Sequence, residues 1–197
     1  DKAAQQLNEI KAGYAIGMAA DVRNLASQQA VVDAIVRQWE RLDYVIANAG
    51  VGHFAPIQEL TPEQWQETID INLTGVFNSA KVSIAELKKT EGYFISIASL
   101  AGTNFFEKGS AYNASKFGLV GFSQAIMLDL RSEGIKVSTI MPGSVATEFA
   151  DNAVSDKDAW KIQPEDIGEI VYDLLKMNPR TLPSKIEVRP TTPGGKK

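Results

Sequence analysis

Short, almost wholly apolar runs recur along the chain, and amphipathic helical patterns separate them. Residues 44–47 (Tyr-Val-Ile-Ala), 93–97 (Tyr-Phe-Ile-Ser-Ile) and 135–141 are too apolar for one face to meet water. Strands of that kind belong to parallel sheets covered by helices on both faces. The expected fold is therefore α/β, a doubly wound parallel sheet in a three-layer α/β/α arrangement. Residues 14–20 and 185–188 read as further short strands. Helical spacing predicts helices over 1–11, 27–42, 110–131 and 164–177. Another opens at Thr61 and Pro62, an N-cap and a first helical residue, and runs past Asn72 to Lys89. A polar Asn inside such a run predicts a local kink with a bound water. At 197 residues the chain suits one domain over 1–190, with 191–197 as a frayed tail.

Composition removes several kinds of chemistry. Cysteine is absent and His53 is the single histidine. Cysteine nucleophiles, disulfides and cysteine-ligated zinc are excluded, and no metal site is expected. The net charge of -4 and pI near 5.1 carry no basic footprint for nucleic acid. No apolar run approaches the ~20 residues that span a bilayer, and the first residues do not read as a signal peptide. A cytoplasmic location without membrane association is expected. Acid–base chemistry here would use Tyr, Lys, Asp or Glu.

Ligands of open α/β sheets bind beyond the carboxyl ends of the strands. Asp21, Asn48, Ser99 and Thr147 all fall at that edge. Tyr112 and Lys116 stand four apart on a predicted helix and share a face. A tyrosine titrates near ~10, and lowering it by ~3 units needs ~4 kcal/mol in favour of the phenolate. A nearby ammonium acts in that direction, so Lys116 is a candidate activator of Tyr112. The spacing alone is weak, because Tyr172 and Lys176 repeat it. Context separates the two: thirteen residues before Tyr112 is Ser99, whereas thirteen before Tyr172 is Ala159. Tyr172 reads as a packing residue with a solvated tip.

Asn48-Ala49-Gly50, Asn72, Ser99, Tyr112-x-x-x-Lys116 and Pro142-Gly143 together resemble, in order and rough spacing, the short-chain dehydrogenase/reductase family. The resemblance covers nearly the whole chain and implies a Rossmann-like sheet. It implies Tyr112 as general acid/base, Lys116 as its activator and a ligand of the nicotinamide ribose, and Ser99 as a hydrogen-bond partner of the reacting oxygen. Asn72 would hold a water that links Lys116 to bulk. On the cofactor side it implies Asp21 and Val22 at the adenine, and Asn48, Ala49 and Gly50 beside its ribose. Pro142, Gly143, Val145 and Thr147 would position the carboxamide.

The family opens with a strand, a Gly-rich turn and a helix that cradle the pyrophosphate. These residues contain no such turn; by the resemblance they begin inside the helix after the second strand, about forty residues in. The strands at 14–20 and 44–47 are then expected to pair directly or to borrow partners. The choice between NAD and NADP lies in that opening segment, so the implied cofactor is NADP or NAD.

The implied substrate is a small carbonyl compound or alcohol. His53, Phe54, Phe105, Phe106, Phe149 and Trp160 are candidates for an apolar lining. The polar stretch 150–161 is too short for more than a small lid. The helices bearing Asn72 and Tyr112 resemble those of the family's dimer interface, so a homodimer or homotetramer is expected. A 3-oxoacyl carrier reductase is a narrower version of this reading. A non-catalytic binding or regulatory protein on the same fold is the alternative.

Overall fold

The computed structural model describes residues 2–151 and 153–192. Its elements run α1 (Lys2–Ile10), α2 (Leu25–Trp39), β1 (Tyr44–Ala47), α3 (Pro62–Ile69), α4 (Gly75–Thr90), β2 (Tyr93–Ile97), α5 (Ser110–Leu130), β3 (Lys136–Pro142), α6 (Pro164–Lys176) and β4 (Lys185–Val188). Local chemistry sets several of these ends. Asn24 caps α2 by accepting from the Ser27 N–H at 3.0 Å. Thr61 and Gln64 form a reciprocal capping box ahead of Pro62, and Gln163 and Asp166 form another ahead of Pro164.

The four strands pair in the order β1-β2-β3-β4, all parallel. Alternation along β2 assigns the faces. Phe94 packs with Val32 of α2, Leu87 of α4, Leu119 of α5 and Val137 of β3. Tyr93 and Ile95 point the other way, onto Ile140 and Leu174 of α6. Helices thus cover both sheet faces, as the apolar strands required. Leu87 and Leu119 are fully enclosed, and burying a side chain of that size contributes roughly 1.5–3 kcal/mol.

Two expectations need correction. Residues 14–20 form no strand, and Tyr14, Ile16 and Met18 are exposed. An apolar extended run becomes a strand only beside a partner, and among the described residues β1 pairs with β2 alone. Direct pairing of 14–20 with β1 is therefore not what occurs. The helical run through Asn72 is irregular where the sequence predicts a kink. It continues from α3 to α4 through a π turn at Asp70–Thr74, which absorbs the irregularity within the helix. The tail expected at 191–197 lies outside the described residues from 193 on, as do Asp1 of the first helix and Asn152.

Candidate active site

Ser99 follows β2 and caps a short turn, Leu100–Gly102, accepting from the Ala101 N–H at 3.1 Å. Its Oγ also reaches the carbonyl of Pro142, at the end of β3, at 3.5 Å. The turn lies directly on α5. A Cβ on Gly102 would stand 2.6 Å from Val120 and 2.8 Å from the Lys116 carbonyl, so only glycine permits the approach. Asn113, next to Tyr112, fastens the same contact: its Nδ2 donates to Ala101 O at 2.7 Å and to Asn104 O at 2.8 Å. Ser99 and Tyr112 are thereby held on one rigid joint.

Lys116 is 4% exposed, and its Nζ donates to Ile97 O at 3.2 Å. No carboxylate pairs with it among the described residues. Burial pushes its pKa down from 10.5 to about 8. Tyr112 does not show the expected depression. Burial raises its phenol, and the Ser99 side chain works against that rise. The reason is positional: Lys116 Nζ stands 5.6 Å from the Tyr112 ring centroid, over the ring, and gives its hydrogen bond to a backbone carbonyl.

Asn72 is completely buried in the π turn. Its Oδ1 accepts from Val51 N at 2.8 Å, and its Nδ2 donates to Val51 O at 2.9 Å and to Ser115 Oγ at 3.0 Å. It ties the segment after β1 to α5. A Cβ on Gly50 would come 3.4 Å from Asn72 Oδ1 and 3.7 Å from Lys116 Nζ, so the bare glycine keeps an opening beside the ammonium.

A cleft of about 820 Å³ lies along the carboxyl edge of the sheet. Asn48 and Gly50 enter it from β1, Ser99 from β2, and Tyr112 and Lys116 from α5. Pro142 enters from the end of β3, and Gly143, Val145 and Thr147 from beyond it. Asp21, Val22 and Ala49 do not line it. Val22 and Ala49 line a smaller apolar groove of about 310 Å³ along β1, and Asn48 borders both. The Val22 carbonyl accepts from Gln28 Nε2 at 2.6 Å and Asn78 Nδ2 at 3.0 Å. Asp21 is exposed and paired with Arg23 at 2.7 Å, whose hydrogen bonds hold the carboxyl down at about 2.

Of the apolar candidates, Phe105, Phe106 and Phe149 line the cleft. Phe54 backs it, with its ring 5.4 Å from that of Tyr112. His53 pairs instead with Glu67 at 2.7 Å, and Trp160 is half-exposed outside the lining. Sequence reasoning missed Asn113, Lys161 and Arg189. Arg189 directly follows β4, so the strand-end rule that selected Ser99 would also have found it. Lys161 had no such signal, because it arrives through a bridge between Val145 and Ile162.

The family model described as "short chain dehydrogenase" matches residues 1–158. A D-threitol dehydrogenase from Mycolicibacterium smegmatis is 38% identical over 138 residues, which are 70% of this chain and 53% of that protein. A 3-oxoacyl-[acyl-carrier-protein] reductase from Synechocystis is 34% identical over 141 residues, 71% of this chain and 57% of that one. The chain thus spans a little over half the length of these relatives. The crystal structure of a metagenomic short-chain oxidoreductase in complex with NADP superposes with a TM-score of 0.81 at 29% identity, covering 98% of this chain and 82% of that one. Among the described residues no helix is long and apolar enough to cross a membrane.

Proposed function

The chain belongs to the short-chain dehydrogenase family, and on that footing we propose that it interconverts a ketone or aldehyde and an alcohol with NADP or NAD. The observation that carries this reading is the meeting on one cleft of Ser99, Tyr112 and a buried Lys116 that has no carboxylate partner among the described residues. The residues fit a nicotinamide cofactor at its ribose: Lys116 keeps free donors beside the opening that Gly50 leaves. Pro142, Gly143, Val145 and Thr147 would hold the carboxamide, and Asn48, Ala49 and Gly50 would flank the adenine ribose. Asp21 and Val22 would meet the adenine. When bound, the cofactor supplies or accepts the hydride.

The chain's own part is proton handling. Ser99 orients the reacting oxygen by a hydrogen bond. Tyr112 gives its phenolic proton to that oxygen in reduction and takes one in oxidation. Its raised pKa keeps it protonated at neutral pH, which suits the acid role. Lys116, charged below about 8, stabilises the phenolate left behind. Asn72 holds the β1 loop and α5 together, and a water held there would link Lys116 to bulk. A cytosolic setting fits a cysteine-free chain.

The test is turnover of a panel of ketones and aldehydes with NADH and NADPH. Tyr112→Phe should lower kcat/KM by at least about 100-fold with the fold retained, and unchanged turnover overturns the assignment. Tyr172→Phe should change little, since Tyr172 is exposed with Lys176 over its ring at 4.7 Å. A homodimer or homotetramer through α4 and α5 belongs to the same proposal. Phe77 and Phe117 on those helices are exposed, and Phe117 stacks on the exposed Phe105. A single monomeric peak in gel filtration would rule it out.

A further inference from the structure

Among the described residues the cleft lining carries three cations, Lys116, Lys161 and Arg189, and no carboxylate. Composition does not explain this, because the chain holds 24 acidic residues against 20 basic ones. Lys116 belongs to the reaction proposed above. The other two have no part in it.

Each of the two is steadied by a carboxylate that stands outside the lining. Lys161 Nζ meets Asp158 at 2.6 Å, and Arg189 Nη2 meets Glu187 at 2.9 Å. These contacts leave donors over, since an ammonium has three N–H groups and a guanidinium five. Lys161 is also partly enclosed, with a quarter of its side chain exposed.

Their place in the sheet is one-sided. Arg189 follows β4, and Lys161 precedes Ile162, whose N–H donates to Ser144 O at 3.1 Å beyond β3. The strands run in the order β1-β2-β3-β4, so both cations stand at the end of the cleft opposite Asn48 and Gly50. Ser99 and Tyr112 lie between the two ends. A group held by Lys161 and Arg189 is therefore attached on the far side of the reacting oxygen from the positions assigned to the adenosine. Phe105, Phe106 and Phe149 supply the apolar wall on which the rest of such a molecule would lie.

We propose that Lys161 and Arg189 form a binding site for a carboxylate on the substrate, which makes the substrate class oxo or hydroxy carboxylic acids with an apolar body. This rests on the oxidoreductase reading. Oriented guanidinium and ammonium donors discriminate strongly between a carboxylate and its neutral isostere. The cofactor's pyrophosphate offers the same anionic oxygens, and the experiment separates the two sources.

The test is calorimetric titration of the chain with 4-phenylbutyrate and with its amide, at low and at physiological salt. The acid should bind at least tenfold tighter than the amide, and the preference should shrink with salt. Lys161→Gln and Arg189→Gln should each bring the acid-to-amide ratio toward one, as should the ratio of kcat/KM for a 3-oxo acid and its methyl ester. Equal binding of acid and amide, or no binding of the acid, overturns the proposal. So does a pair of variants that lose inorganic pyrophosphate and NADP affinity while keeping the acid-to-amide ratio, because the cations then serve the cofactor. A native chain that turns over no ketone or aldehyde yet keeps the binding ratio fails the oxidoreductase reading alone; if Tyr112→Phe retains turnover, the Tyr112 assignment fails while the anion site stands; if it loses turnover and keeps the binding ratio, both stand.

Discussion

Lys116 is buried to 4% exposure with one hydrogen bond, to a backbone carbonyl. Holding its pKa at about 8 instead of 10.5 costs on the order of 3 kcal/mol of native stability at neutral pH. Lys116→Met should therefore raise the melting temperature at pH 7 while abolishing turnover, and a lowered melting temperature would show that the ammonium stabilises the fold. Asn113 makes the opposite case. It touches neither cofactor nor substrate in the scheme, yet it bonds α5 to Ala101 and Asn104. Asn113→Leu should lower kcat about tenfold or more with a smaller change in KM, because it frees the joint between Ser99 and Tyr112. Ser99, Tyr112 and Lys116 were legible from spacing and context. The direction of the Tyr112 shift was not, because it depends on where Nζ points and how deeply the phenol is buried. Position along a helix contains neither fact.

Helices and strands with their own local chemistry were readable. The Thr61–Gln64 capping box and Pro62 announced α3, and Thr61→Ala should cost about 1 kcal/mol, seen as a lower midpoint in urea. The runs read as strands at Tyr44–Ala47, Tyr93–Ile97 and Lys185–Val188 matched the strands residue for residue. Residues 14–20 carried an equal signal and form no strand, because pairing is a relation between segments. The π turn at Asp70–Thr74 was half legible. Asn72 marked the place, but a buried amide that satisfies Val51 through both its backbone groups needs the distant loop to be known. At the centre of the α5 contact, Leu119→Ala should cost about 2–5 kcal/mol, and a smaller loss would mean that the space closes.

Across the molecule, buried titratable groups set the dependence of stability on pH. Lys116 has a folded value of about 8, below its unfolded value of 10.5. Below 8 both states hold the proton. Between 8 and 10 the unfolded chain binds more protons than the native one, so unfolding free energy rises with pH in that window. Above it, Tyr93 and Tyr112, whose phenols burial raises, act in the other direction. A melting temperature that climbs from pH 7.5 to 9.5 in the native sequence, and is flat there in Lys116→Met, checks the sign. The sheet has a further consequence through β1. Among the described residues the side of β1 away from β2 bonds to no strand, and Tyr44 at 52% and Ile46 at 41% exposure stand beside it. Such a border is a template on which any extended apolar peptide can add itself. Concentrated samples of these 197 residues alone should scatter light progressively, and Ile46→Lys should slow that growth by giving the border a charged gatekeeper.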